Sequence, residues 1–281
     1  MKISPSSLAA WLGNKEEFYL QRILKTKGRE VQTAPMAAGT AFDCYVKDFL
    51  SFHLLGVHRF EELIQNIEIQ NRPEALRAGE FLFREYKRLG ALGDLICSLN
   101  KAKDIRMEFS VDLMVDGIML TGRPDCFYID SWGRDVILDW KVNGFYSKAS
   151  PVSGYVVLRG GKARGHDVII QGINCSNLDN HSEDWARQLC IYGWLLGTDN
   201  FVAAIDQLVC SPGHGLGQVV RIAEHRSRIS KSFAERVRKE VFEMNLSCNS
   251  DWYFRNMQRE DSIARCELLA NTEQKEWNHV S

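Results

Sequence analysis

The stretch Gly122-Arg-Pro-Asp125 is followed, fourteen residues after its aspartate, by Asp139 within Ile137-Leu-Asp-Trp-Lys141. Side chains of a strand alternate faces, so Asp139 and Lys141 project together while Leu138 and Trp140 go to the other side. Asp125, on the preceding strand of the same hairpin, can reach the same point. Two carboxylates from adjacent strands are hard oxygen donors suited to Mg²⁺ or Mn²⁺. A lysine beside them can position or deprotonate a water, or offset charge at a phosphate under attack. A lone Asp-x-Lys on a surface hairpin would be an ion pair of little worth. Here it stands beside Gly-x-Pro-Asp and ahead of a helix bearing Gln188 and Tyr192.

The elements that must position these groups can be read from periodicity. The first hundred residues are helical in pattern. Ser4-Pro5 caps a helix with Leu8, Trp11 and Leu12 as its stripe, and Asn14 caps a second with Glu17 three residues on. The small residues of Ala37-Ala-Gly-Thr-Ala-Phe-Asp43 open a helix that can approach another backbone closely, continued by Tyr45, Val46, Phe49 and Leu50. Another helix spans about Arg72 to Leu89. Near residue 105 the period changes to two. Ile105–Val115, Ile118–Ile129 and Asp135–Val142 form an antiparallel meander, broken by a tight turn at Asp116-Gly117 and a longer one at Asp130-Ser-Trp-Gly133. A hairpin is expected within Gly154–Ile170, a helix from Glu183 through Leu196, and a strand over Phe201–Cys210.

These expectations define an α/β fold: a central mixed β-sheet with an antiparallel meander, flanked by helices, in one domain over 1–281. Residues 1–104 form a helical part, 105–211 the sheet core with a glycine-rich insertion at 143–184, and 212–281 a helical C-terminal part. The chain has 281 residues, 45% of them apolar and 25% charged, with a formal net charge of -1. That is the composition of a soluble globular protein, without a spanning apolar stretch or a secretory signal at Met1-Lys-Ile-Ser-Pro5. A cytoplasmic location is expected. The eight cysteines include no C-x-x-C pair, so most read as reduced thiols.

Taken in order, these segments resemble the PD-(D/E)xK nuclease superfamily, particularly its RecB-like exonuclease branch, whose core is restriction-endonuclease-like. Ser4-Pro-Ser-Ser-Leu8 with Phe18-Tyr-Leu20 is similar to the opening helices of that branch, and Gly39-Thr-Ala-Phe42 to its next helix. Gly122-Arg-Pro-Asp125 and Asp139-Trp-Lys141 match the name-giving motif, and Gln188-Leu-Cys-Ile-Tyr192 resembles its Q-x-x-x-Y helix. The later segments resemble phage-encoded members. The resemblance implies that Asp125 and Asp139 hold one or two Mg²⁺ or Mn²⁺ ions and that Lys141 works on the attacking water. It implies that Gln188 and Tyr192 line the site or contact DNA. Asp43 stands where the family often has His or Glu and can still be a ligand, and Glu108 is a further acidic candidate. CRISPR-associated relatives hold an iron–sulfur cluster on four cysteines. With Asn14-Lys15 ahead of Phe18-Tyr19, and Cys248 and Cys266 isolated, no cluster is expected.

The expected activity is metal-dependent DNA hydrolysis, by an exonuclease of phage recombination or DNA degradation. The alternatives are an endonuclease of the same fold or a non-catalytic DNA-binding module. Arg159, Lys162 and Arg164 lie among glycines in a segment suited to run along a DNA backbone. Arg221–Lys239 holds seven cations against Glu224 and Glu235, although its outer half reads as a solvated helical face. Binding would be backbone-directed rather than sequence-specific.

Overall fold

The computed structural model describes residues 1–28, 31–144, 155–159, 170–171, 177–210 and 220–249. In chain order its elements are β1 (Lys2–Ile3), α1 (Pro5–Gly13), α2 (Lys15–Phe18) continuing into a π-helical turn at Tyr19–Leu24, α3 (Ala34–Leu55), α4 (Phe60–Leu63), α5 (Arg72–Arg88), α6 (Ala91–Leu99), β2 (Lys103–Met107), β3 (Val111–Val115), β4 (Ile118–Gly122), β5 (Cys126–Ile129), β6 (Asp135–Gly144), β7 (Tyr155–Arg159), β8 (Ile170–Gln171), α7 (Glu183–Leu196), β9 (Val202–Cys210), β10 (Val220–Ser227) and α8 (Lys231–Asn249). None of the described helices is long and apolar enough to cross a membrane. Internal contacts divide the chain into two compact units, one of 1–30, 112–122 and 231–281, the other of 31–111 and 123–230.

The first unit contains the capped helices. Ser4 Oγ accepts from the Ser7 amide at 3.1 Å while the Ser4 amide donates to Ser7 Oγ at 2.7 Å, a reciprocal box closed by serine in the place usually held by Glu or Gln. Asn14 accepts from the Glu17 amide at 3.1 Å and starts α2 as expected. A three-stranded sheet runs β1-β4-β3, with β1 parallel to β4. Asp116 and Gly117 both have positive φ, 50° and 78°, the backbone that a two-residue hairpin turn requires.

The second unit is built on a seven-stranded mixed sheet in the order β2-β5-β6-β9-β10-β7-β8. β2, β5 and β6 are antiparallel neighbours, and β6 pairs β9 in parallel. The expected meander is therefore corrected. Its first two runs each break, and β3 and β4 leave for the small sheet while β2 and β5 stay in the large one. Pro124 lacks a ladder donor and ends one run; Glu108, at φ 49°, turns the backbone at the other. β7 and β8 pair antiparallel as the expected hairpin, with the chain between them outside the described residues.

A second correction concerns 212–281, read as helical. β10 at Val220–Ser227 is a strand of the large sheet. Its Glu224, His225 and Ser227 are all buried, and Arg226 forms an ion pair with Asp206 at 2.7 Å. Because Glu224, His225 and the Arg226–Asp206 pair sit inside the protein, the segment reads as a charge run and shows no apolar alternation.

The core of this unit joins Phe42, Val46 and Leu50 of α3 to Leu82 and Tyr86 of α5 and to Leu138 and Trp140 of β6. The close approach of α3 and α5 comes from Gly79. A Cβ there would stand 2.5 Å from the Ala41 carbonyl carbon and 2.7 Å from its Cβ, whereas one at Gly39 meets only Val142 Cβ at 3.7 Å. Overpacking of this kind costs about 1–3 kcal/mol. Gly79→Ala is therefore expected to lower the urea-unfolding free energy by that amount. Gly39→Ala, with room and a gain of helix propensity of up to ~1 kcal/mol, should leave it unchanged or raised.

Candidate active site

The register of β5 against β6 pairs Cys126 with Leu138, and one step further along it Asp125 faces Asp139. The register of β2 against β5 pairs Met107 with Cys126, and the Glu108 amide continues it by donating to the Asp125 carbonyl at 3.1 Å. Glu108, Asp125 and Asp139 thus stand in a row across three neighbouring strands. Asp139 is 3% exposed. Strand alternation sends Leu138 and Trp140 into the apolar core, while Lys141 returns to the side of Asp139 and pairs with it at 2.6 Å.

Two helices close the row. From α7, Gln188 donates through Nε2 to Asp139 Oδ1 at 2.7 Å and to Tyr192 Oη at 3.2 Å, and its Oε1 accepts from Lys141 Nζ at 2.8 Å. One amide side chain thereby fixes both Asp139 and Lys141. α7 begins at Ser182, whose Oγ accepts from the Trp185 amide, and ends at Gly197 with φ 70°. From α3 comes Lys47, 7% exposed, whose ammonium pairs with Asp125 Oδ1 at 2.7 Å and with Glu108. Arg123 Nε pairs with the other Glu108 oxygen at 2.6 Å.

The charges respond to this crowding. Burial pushes the Asp43 carboxyl up to about 8 against the pull of Lys47, with the charges of Asp125 and Asp139 adding to the rise. Burial raises Asp139 to about 6 despite Lys141, with Asp125 contributing. At Asp125 burial acts upward too, but the Lys47 ammonium and its hydrogen bond, with Lys141, outweigh it and hold the group below the usual carboxylate range. Burial would lower Lys141, but its pairing with Asp139 wins and keeps it an ammonium.

Asp139 Oδ2 is buried and makes no hydrogen bond, only its ion pair with Lys141, and the nearby Asp125 charge adds to the rise of the Asp139 carboxyl. A buried carboxylate oxygen without a hydrogen bond, beside a second carboxylate, makes an oxygen-only donor set that suits a divalent cation such as Mg²⁺ or Mn²⁺. Among the described residues no group of three or more acidic, histidine or cysteine side chains is gathered to hold a metal ion. The fit rests on the Asp125–Asp139 pair, with Asp43 close enough to feel both charges.

Of the residues singled out in the sequence, the structure brings together Asp43, Glu108, Asp125, Asp139, Lys141, Gln188 and Tyr192. Lys162 and Arg164 lie outside the described residues, as does Cys266, and Arg159 ends β7, of which the backbone alone is described. Two participants went unnoticed, Lys47 and Arg123. The signal for Lys47 is faint: a lysine one helical turn after Asp43, in the apolar surroundings of Val46, Phe49 and Leu50. Arg226, counted among the phosphate-binding cations, is instead paired with the buried Asp206 at 2.7 Å.

A model of the PD-(D/E)XK nuclease superfamily matches residues 2–155, a span that includes Asp43 through Lys141 and stops short of α7. Among solved structures, a protein from Eubacterium rectale provisionally named an exonuclease is 14% identical, with a TM-score of 0.50 over 88% of this chain and 79% of its own. SSO0001 is 13% identical and covers 88% of this chain and 91% of its own, with a TM-score of 0.27. At 14% identity the first likeness shows the fold. None of the curated proteins matches.

A carboxyl raised in the folded state binds a proton that the unfolded chain has released, so stability falls as pH rises from the ordinary value toward the folded one. For Asp139 that window runs from 3.8 to about 6 and for Asp43 from 3.8 to about 8. In EDTA the melting temperature is expected to fall between pH 6 and 8, chiefly through Asp43. Asp43→Asn should flatten that slope and melt above the parent at pH 8. An unchanged slope would remove Asp43 as its source.

Proposed function

The chain belongs to the PD-(D/E)XK nuclease superfamily, and on that premise we propose that it is a divalent-metal-dependent deoxyribonuclease acting from DNA ends. The observation that carries the reading is the single Gln188 side chain holding Asp139 and Lys141 together opposite Asp125. An ion pair kept only for stability would not need two further hydrogen bonds to fix its direction.

Asp125 and Asp139 are the residues that would hold the cation, with Asp43 beside them. When bound, it supplies Lewis-acid activation of water and charge neutralisation at the phosphate. The remaining chemistry belongs to the chain. Lys141, kept charged by Asp139, is a proton donor and electrostatic partner for the phosphate or the attacking water, and it is not a free base in this arrangement. Gln188 keeps Lys141 and Asp139 in register and takes its own orientation from Tyr192. It is a positioning residue. The low exposure of Asp139 and Tyr192 keeps bulk water from screening these charges. Arg159, Lys162 and Arg164 are the proposed backbone contacts for DNA.

Digestion from ends, as opposed to internal cutting, is supported by the name of the Eubacterium rectale protein that shares the fold. End-labelled linear and covalently closed circular DNA, single- and double-stranded, should be incubated with Mg²⁺, Mn²⁺ or EDTA. Metal-dependent loss of the linear forms alone is expected. Lys141→Ala should slow it by about 10²–10⁴-fold, the range of a positioned proton-transfer or charge-stabilising group. Cutting of circles would make the enzyme an endonuclease. DNA binding without cleavage in any metal would leave a binding module.

Gln188→Ala is expected to lower kcat with little change in KM for DNA, because it loosens Lys141 without removing a phosphate contact. A change confined to KM would instead make Gln188 a substrate ligand.

A further inference from the structure

The row Glu108, Asp125, Asp139 contains two gaps, and the protein fills them differently. Carboxylates on neighbouring strands recur about every 4.8 Å, and two ions of a binuclear site lie about 3.5–4 Å apart. Were no ammonium among them, three carboxylates at that spacing would leave room for two cations side by side. At the gap between Asp125 and Asp139, Asp139 Oδ2 is buried with an ion pair to Lys141 and no hydrogen bond, an oxygen that an incoming cation can take. The gap between Asp125 and Glu108 contains the Lys47 ammonium, paired with Asp125 Oδ1 at 2.7 Å and with Glu108 Oε1.

That ammonium is not a passing visitor. The Lys47 and Glu108 side chains are each only 8% exposed. The second Glu108 oxygen is already paired with Arg123 at 2.6 Å. Val46 and Leu50, which flank Lys47 on α3, are completely buried in the apolar core and anchor the helix from which it projects. Withdrawing the ammonium would leave the Asp125 and Glu108 carboxylates facing one another out of water, with Arg123 alone to offset Glu108.

We infer that Lys47 stands permanently in the place of a second divalent cation, so that the site accepts one metal ion, between Asp125 and Asp139, and Glu108 serves to hold Lys47 and not a metal. The inference rests on the metal-dependent reading given above. It assigns the second positive charge of the site to the chain itself, where it needs no free metal to be supplied.

The full chain should be titrated with Mn²⁺ in the absence of DNA, by calorimetry and by electron paramagnetic resonance of the unbound ion. One Mn²⁺ per chain is expected, lost in Asp139→Asn. Lys47→Met should bind a second ion and show the spin-coupled signal of a manganese pair, whereas Lys47→Arg should remain at one. Two ions on the parent protein would overturn the inference while leaving the metal-dependent reading intact. A folded Lys47→Met that still takes one ion would overturn it as well. No Mn²⁺ bound to the folded parent would defeat the metal-dependent reading itself. If Lys47→Met does not fold, the stoichiometry of the parent decides alone.

Discussion

Two carboxylates facing each other across adjacent strands in a nearly dry interior is the constraint around which the second unit is arranged. Ionised together, Asp125 and Asp139 would repel strongly at low dielectric. The chain answers with two ammonium groups from opposite directions, Lys47 on Asp125 and Lys141 on Asp139, and with an Asp139 carboxyl whose affinity for a proton burial raises. α3 can carry Asp43 and Lys47 inward only because Phe42, Val46 and Leu50 travel with them. Each of those apolar side chains contributes about 1.5–3 kcal/mol on burial, together of the same order as the cost of a buried ion. The helix that delivers the charge is thus also the helix that compensates for delivering it.

The pieces legible in the sequence were those with a local signature. Asp139 and Lys141 are two apart on a strand, Gln188 and Tyr192 four apart on a helix, and each spacing alone puts its pair on one face. The caps at Ser4 and Asn14 and the turn at Asp116-Gly117 are local in the same way. What escaped depends on partners far along the chain. Lys47 acquires its meaning from Asp125, 78 residues away, and in isolation is one polar residue on an amphipathic helix. β10 was hidden because its buried charges find theirs on β9. The split meander was missed because a broken run and a continuous one share the same alternation, and only Pro124 hinted at the break.

β6 is constrained from both faces by polar contacts, which is uncommon for a central strand and explains how Asp139 and Lys141 keep their direction. On their own face, Gln188 holds them. On the opposite face Trp140 donates to Tyr86 Oη at 3.3 Å, Tyr86 donates to Asp206, and Asp206 pairs with Arg226. Burial, and then the Asp206 charge that accepts its hydrogen bond, hold the Tyr86 hydroxyl well above its ordinary pKa, so it stays a donor. A rotation of β6 that moved Asp139 would have to break this second set of bonds as well. The geometry of the site is therefore supported from the opposite face of β6 as well.

This arrangement also decides which cations can meet a phosphate. On the proposed reading, a charge already committed to a buried carboxylate would not be given to DNA without stranding its partner, which removes Lys47 from the count, and Arg226 despite its place in a basic stretch of sequence. Lys141 escapes that argument, because a cation arriving at Asp139 would take over the carboxylate's charge and free the ammonium to turn toward substrate. Buried pairs make poor phosphate ligands, but a pair whose acid also held a metal ion, as proposed for Asp139, would have its ammonium less tightly committed. The sharing of Asp139 between Lys141 and the cation site is what would couple metal binding to the readiness of the lysine.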